Sequence, residues 1–161
     1  MSFAEEFKEA ERRALVENTA QDVFNILKDL ESQASLHASR WIWELLQNAR
    51  DAALLSSPLC IRVSITPTEV TFQHNGLAFT KDQVAHLIHH GSTKAHEEEL
   101  VGRFGTGFLS SHIISKKPHV SGYLDNGGCF AFTLDRTGAT PRELTASMER
   151  SSQEFVNSVS S

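Results

Sequence analysis

The spacing of apolar residues along this chain changes from the period of a helix to the period of a strand, and does so twice. Steps of three and four residues predict helices, and alternation predicts strands with one buried face. The predicted helices cover 3–18, 19–30, 35–55, 80–88 and 108–114, and the predicted strands cover 60–65, 70–72, 119–124 and 129–134. Helices interspersed with hairpins are typical of the α+β class. We therefore expect a two-layer sandwich, with helices packed on one face of a mixed, mostly antiparallel sheet.

The two ends of the chain differ in composition from its middle. Charged residues surround a sparse apolar set in 3–18, which predicts a surface or arm helix within 1–18. Thr19 is the predicted N-cap of the next, packed helix. Beyond 136 the sequence is polar and rich in serine, which predicts a helix over 141–155 or a tail. We therefore expect an N-terminal arm over 1–18, a central domain over 19–136 and a C-terminal helix or tail over 137–161.

Charge and cysteine content exclude several functional classes. Lys and Arg number 15 against 20 Asp and Glu, and the net charge of −5 disfavours nucleic acid and anionic membranes as partners. Cys60 and Cys129 can form neither a disulfide scaffold nor a zinc motif. The N-terminal residues are polar and acidic, unlike a signal peptide, and the apolar stretches are shorter than the roughly 18 residues of a membrane span. We expect a cytoplasmic protein.

The segment WELLQNARDA carries a polar stripe on an otherwise apolar predicted helix. Glu44 and Asn48 are four residues apart and Asp51 follows three later, so all three project from nearly one face. Carboxylate and carboxamide oxygens can bind Mg²⁺, and a carboxylate can orient a water molecule for attack. The alternative interpretation is a solvated stripe without a ligand.

The segment GRFGTGF is the second candidate for chemistry. Gly102, Gly105 and Gly107 would let backbone N–H groups approach phosphate oxygens, and a helix that begins near Phe108 would add a favourable partial charge. The dinucleotide fingerprint requires a preceding strand, and the P-loop requires Gly-Lys-Ser or Gly-Lys-Thr; neither is present. The alternative is a flexible lid that binds nothing.

A third segment, FQHNGLAFT, predicts a strand, a tight turn and a helix start. The turn lies at Asn75-Gly76 and the helix opens at Thr80. Such a turn would let a base lie against the backbone with a polar side chain beneath it. An ordinary strand-turn-helix connection is the alternative.

Taken together and in this order, the segments resemble the Bergerat-fold ATP-binding domain of the GHKL superfamily, which includes gyrase, heat-shock chaperones, histidine kinases and MutL. ELLQNARDA resembles the N-box, HNGLAFT stands where the family has Asp-x-Gly-x-Gly, and GRFGTGF resembles the second glycine box. GSTK at 91–94 resembles the start of the ATP lid, and NGGCFAFTLD resembles a strand pair of the chaperone branch. The resemblance spans residues 35–135 and is nearest to sacsin-type domains, which are N-terminal ATPase modules of much larger proteins.

The resemblance implies ATP and Mg²⁺ as cofactors and assigns roles to individual residues. Glu44 would be the general base, Asn48 the Mg²⁺ ligand, and Asp51 would help to hold the nucleotide. The other residues expected to contact the nucleotide are His74, Gly76, Ala78, Lys94, Gly102, Arg103, Phe104, Gly105, Thr106, Gly107 and Phe108.

The chain departs from the family pattern in three places. His74 replaces the Asp that accepts the adenine amino proton, and a neutral His can accept it only in one tautomer. Ala78 replaces a glycine. No counterpart of the family's Thr-bearing last strand occurs in 136–161, so we expect a fold that lacks this strand or a fragment of a larger protein.

These observations predict an ATP–Mg²⁺-binding domain with weak hydrolysis, acting as the N-terminal switch of a larger chaperone-like or defence-type protein. Its expected partners are ATP or ADP, further domains of its own chain, and a second copy of the chain through the N-terminal arm. The alternative is a degenerate GHKL-fold interaction module with little or no nucleotide binding. Phosphotransfer of the histidine-kinase type is disfavoured because no dimerisation helix with a phosphoacceptor His is evident.

Overall fold

The chain folds into helices packed against antiparallel strands, which confirms the α+β class. The computed structural model describes residues 2–89 and 106–159, with the backbone alone at 37, 106 and 107. The helices are α1 (Phe3–Ser32), α2 (Ala34–His37), α3 (Arg40–Asp51), α4 (Lys81–His89), α5 (Thr106–Leu109) with a following 3₁₀ turn (Ser110–Ile113), and α6 (Pro141–Val159). The strands are β1 (Ile61–Ile65), β2 (Val70–His74), β3 (His119–Tyr123) and β4 (Cys129–Thr133).

The described strands form two antiparallel hairpins. In the first, Ile61 of β1 lies opposite His74 of β2. In the second, His119 of β3 lies opposite Thr133 of β4. The hairpins are connected near Phe79, whose N–H donates to Tyr123 O over 2.8 Å and whose carbonyl accepts from Asp125 N over 2.9 Å. The segment after β2 is thereby anchored to the second hairpin.

The hydrophobic core lies between the second hairpin and the helices α1, α4 and α6. Alternation along β4 directs Phe130 and Phe132 into this core, as the two-residue period predicts. Phe155 of α6 packs on both rings, with centroid distances of 5.5 Å to Phe130 and 5.8 Å to Phe132. The other large buried side chains of this core are Val23, Leu27, Leu30, Val84, Leu87, Ile88, Leu109, Leu124, Leu134, Leu144 and Met148.

Two predicted helix boundaries are wrong. The helices expected over 3–18 and 19–30 are the single helix α1, since no glycine or proline interrupts Phe3–Ser32. Thr19 is therefore no N-cap; it lies inside α1 and its hydroxyl donates to Leu15 O over 2.9 Å. The N-cap is Ser2, which forms a capping box with Glu5. The helix expected over 35–55 is divided into α2 and α3 and ends at Asp51.

Candidate functional site

Helix α3 carries the three polar residues that the sequence singled out. Glu44, Asn48 and Asp51 are all half-buried, and the helical spacing places them on nearly one face. The fully buried Ala49 lies between them in sequence. Helix α3 packs against α5 and the 3₁₀ turn that follows it. The predicted polar face is therefore formed, and it lies on a helix that contacts the segment following the glycines.

Each carboxylate of this face has an arginine beside it. Arg40 Nε donates to Glu44 Oε1 over 3.1 Å, one helical turn away. Arg50 Nη2 lies 3.6 Å from Asp51 Oδ1. Both pairs are partly exposed, so they orient the carboxylates more than they stabilise the fold. Two cationic side chains therefore lie beside the polar face of α3.

The turn after β2 lies directly on the C-terminal end of α3. Leu77 N donates to Ala52 O over 2.7 Å. A Cβ at Gly76 would lie 2.6 Å from the same carbonyl oxygen, closer than any ordinary contact. Only glycine allows this approach of the two backbones. The first and third segments of the sequence are therefore brought together, although 25 residues separate Asp51 from Gly76 in the chain.

Asn75 fixes this turn through its side chain, a role that the sequence reasoning missed. Its Oδ1 accepts from Cys60 N over 2.7 Å, and its Nδ2 donates to Pro58 O over 3.0 Å. Both bonds join the turn to the segment that leads into β1. The Asn-Gly dipeptide signalled a turn, but the distant partners of the carboxamide could not be read from it.

His74 has a defined tautomer. Its Nδ1 accepts from Gly76 N over 3.1 Å, and burial lowers the pKa of the ring, so the imidazole is neutral with its proton on Nε2. The free nitrogen of His74 is then a hydrogen-bond donor. In this arrangement it cannot accept the adenine amino proton as the aspartate of the family pattern would.

Most of the glycine-rich segment lies outside the described residues. This applies to the expected nucleotide-contacting residues Lys94, Gly102, Arg103, Phe104 and Gly105. Thr106 and Gly107 lie in the backbone of α5. Phe108 is half-buried against the core, and the Arg136 guanidinium carbon lies 5.6 Å from the centre of its ring. Ala78 is exposed in the turn that precedes α4.

The side-chain oxygens of α3 could bind Mg²⁺ only together with water or phosphate oxygens. Within 2–89 and 106–159, no three His, Cys, Asp or Glu side chains come together as a metal site. Mg²⁺ usually retains water and is bound through one or two protein oxygens together with substrate phosphates. The half-buried Asn48 and its acidic neighbours Glu44 and Asp51 fit that mode, and they do not fit a metal held by protein alone.

Comparison with known proteins relates about half of the chain to a chaperone. The chain is 33% identical to the chaperone protein HtpG of Cronobacter sakazakii over 52% of its own length and 18% of that relative. It is 32% identical to HtpG of Photorhabdus laumondii and of Yersinia pestis over the same shares. The chain thus spans less than a fifth of these relatives. No protein-family model and no solved structure matches it.

None of the helices within 2–89 and 106–159 has both the length and the apolar character that a membrane crossing needs.

Proposed function

We propose that this chain carries a GHKL-type site that binds ATP with Mg²⁺ and hydrolyses it slowly, within a larger chaperone-like protein. One observation carries the proposal: the hydrogen bond from Leu77 N to Ala52 O holds the Gly76 turn against the end of α3. Because α3 also packs against α5, the helix with the polar face has both the glycine turn and the helix after the glycine-rich segment as neighbours. These are the parts that the sequence resemblance assigns to a nucleotide site.

Two residues of α3 would have different roles in binding and hydrolysis. Asn48 would supply a carboxamide oxygen to Mg²⁺, which when bound offsets the charge of the phosphates. Glu44 would orient the attacking water and accept its proton. Because Arg40 holds one oxygen of the Glu44 carboxylate, the other oxygen would have to perform this step. Arg40 thereby restricts the orientations that the Glu44 carboxylate can adopt toward a water molecule, which supports slow rather than rapid hydrolysis.

The adenine base would lie beside the turn at Gly76, on the side away from Ala52, because Ala52 and His74 fill the space that a Gly76 side chain would need. His74 would read the base through its Nε2–H, because Nδ1 is occupied by Gly76 N. Adenine offers ring nitrogens as acceptors for such a donor. His74 would therefore donate a hydrogen bond to adenine, whereas the aspartate of the family pattern would accept one.

The likeness to HtpG supports the chaperone-like part of the proposal. Because the chain spans 18% of that relative, its natural partners would be further domains of the same protein. The N-terminal part of α1 would mediate pairing with a second copy. Phe3 and Phe7 are one turn apart in that part and expose 83% and 59% of their surface, which supports such a contact.

The proposal is tested by calorimetric titration of the chain with ATP, with and without Mg²⁺. We expect saturable binding that requires Mg²⁺ and weakens at least about tenfold in Asn48→Ala, which corresponds to the loss of about 1.4 kcal/mol. Gln47→Ala is the control, because Gln47 lies beside Asn48 on α3 but is exposed. Glu44→Gln should retain binding and lose hydrolysis. A titration that shows no binding heat, together with no thermal stabilisation at millimolar ATP, would contradict the proposal.

An interaction module without nucleotide binding is the second candidate, and the first hairpin favours it. Val63 and Ile65 of β1 expose 41% and 69% of their surface, and nearby in sequence Leu55 is fully exposed. An isolated hairpin is marginally stable, and exposed apolar side chains on it are typical of a surface that binds another chain. A folded chain that fails to bind ATP would support this candidate.

A further inference from the structure

A cavity lies between α1, the 3₁₀ turn with the segment after it, and the segment after β4. Its volume is about 100 Å³, well above the ~15 Å³ that one water molecule requires. The residues important for its chemistry are Lys28, Glu31, His112, Lys116, Arg136 and Gly138. No residue of α3 or of the Gly76 turn lines it, although Arg136 on its lining lies against Phe108, one of the expected nucleotide-contacting residues.

Arg136 is buried at this cavity, and only 4% of its surface is exposed. Among the residues that the structure describes, no carboxylate forms an ion pair with it. Its Nη2 donates to Leu87 O over a long 3.3 Å, and its Nη1 has no hydrogen-bond partner within 2–89 and 106–159. Burial lowers the pKa of Arg136 to about 9, which reflects the cost of burying an unpaired charge.

The one carboxylate on the lining is already engaged. Glu31 accepts from Lys116 Nζ over 2.6 Å, from Lys28 Nζ over 3.1 Å and from His112 Nε2 over 3.1 Å. Burial lowers the pKa of His112, so the ring is neutral. The lining therefore carries three cationic side chains and one carboxylate, a net charge of 3 − 1 = +2, in a chain whose net charge is −5. Such a cavity attracts anions.

His112 adds a second unsatisfied atom with the opposite hydrogen-bonding role. A neutral ring that donates from Nε2 to Glu31 has a lone pair on Nδ1, and this buried atom has no partner in the described structure. The cavity thus combines an unpaired donor, Arg136 Nη1, with an unpaired acceptor, His112 Nδ1. Hydrogen phosphate satisfies both, because it has anionic oxygens and one P–OH group. Sulfate and carboxylates have no O–H group at neutral pH.

We propose that this cavity binds a monoprotonated oxyanion of the phosphate class, either free or as the terminal group of a larger molecule. Arg136 Nη1 donates to an anionic oxygen, and His112 Nδ1 accepts from the P–OH group. Lys28 and Lys116 attract the anion, and both remain half-exposed beside Glu31. The site would compensate the buried charge that the protein alone leaves unpaired.

The test measures thermal unfolding and calorimetric binding of the full chain with inorganic phosphate, sulfate and O-phosphoserine at constant ionic strength. We expect a saturable rise in Tm with phosphate and at least tenfold weaker binding of sulfate. Phosphoserine distinguishes the two sources when it is titrated beside phosphate at pH 6, where about half of a phosphate monoester still carries a P–OH group. Binding within about threefold of that of phosphate then indicates a terminal group, and absence of binding indicates the free ion. No binding of phosphate, or equal binding of sulfate, would overturn the proposal.

Variants locate the binding and separate it from the nucleotide site. Arg136→Met should abolish the phosphate effect without lowering the Tm of the free chain, because an unpaired buried charge is replaced by an apolar side chain. Asn48→Ala should leave phosphate binding unchanged, so this proposal and the proposed function fail independently.

A matched pair of surface variants tests whether phosphate binds in this cavity even if Arg136→Met does not fold. Lys116→Met should weaken phosphate binding several-fold. Lys117→Met is the control, since Lys117 is similarly exposed but lies 3.6 Å from Asp135 and does not line the cavity. Equal affinities of the two variants would contradict the assignment.

Discussion

Replacing Gly76 by alanine is the sharpest test of the contact between α3 and the turn after β2. The new Cβ would lie 2.6 Å from Ala52 O and 2.8 Å from His74 Nδ1. The first of these neighbours is a backbone atom at the end of α3, so it cannot rotate away. The turn must therefore move from the helix, and it takes with it the 2.7 Å hydrogen bond from Leu77 N to Ala52 O.

The magnitude follows from these two losses. A buried overpacking substitution of this kind costs about 1–3 kcal/mol, and the lost hydrogen bond adds about 1 kcal/mol. Gly76 is half-buried, so part of the strain can relax. We expect Gly76→Ala to lower the free energy of unfolding by about 2–3 kcal/mol. Nucleotide affinity should fall as well, because the turn would no longer lie beside the polar face.

Gly128→Ala is the matched control. Its Cβ would meet Asn126 Oδ1 at 3.2 Å, which is the end of a side chain that can move. The control should unfold within about 0.5 kcal/mol of the wild type in urea. A Gly76→Ala chain that matches the wild type both in urea and in nucleotide titration would refute the close contact of Gly76 with Ala52 O.

Two further predictions concern the fold. Lys116 above all, with His112 and Lys28, lowers the pKa of Glu31 from 4.5 to about 2, so the stability that this carboxylate contributes is present above pH 4.5 and is lost as the pH falls towards 2. Glu31→Gln should cost about 1 kcal/mol at pH 7 and remove this part of the acid dependence in urea titrations; unchanged stability and pH profile would argue against it. Phe132 is 1% exposed in the core, and Phe132→Ala should cost about 3–5 kcal/mol. Tyr123→Ala, at an exposed residue of β3, is the control and should lower the free energy of unfolding by less than half as much. Similar losses for the two variants would contradict the position of Phe132 in the core.

The type of most elements was predictable because it depends on local periodicity. β4 alternates in sequence and alternates in burial, and the helix predicted over 141–155 lies within α6. The boundary at Thr19 was mistaken because a threonine can cap a helix or continue one, and the surrounding residues of α1 are all compatible with continuation. A threonine in a sequence indicates only that a helix could begin there. In the structure the helix continues through Thr19, and the Thr19 hydroxyl donates to Leu15 O one turn earlier.

For the candidate site, the sequence predicted which residues share a face of one element, but it did not predict contacts between elements. Helical spacing alone placed Glu44, Asn48 and Asp51 on one face of α3. The role of Asn75 and the tautomer of His74 were not predictable, because they depend on Cys60, Pro58 and the backbone of Gly76 in their folded positions. The glycine-rich residues 102–105 lie outside the described part, and their contacts with nucleotide stay a prediction.

The sequence by itself determined which segments are helices and strands and which faces of them are polar, since these properties follow from the periods of 3.6 and two residues. Only the tertiary structure decided that the Gly76 turn lies against Ala52 and that Arg136 is buried with its Nη1 unpartnered among the described residues. Both depend on residues that are far apart in the chain. Close packing brings such residues together, and burial then determines which polar atoms remain unpaired and able to bind a ligand.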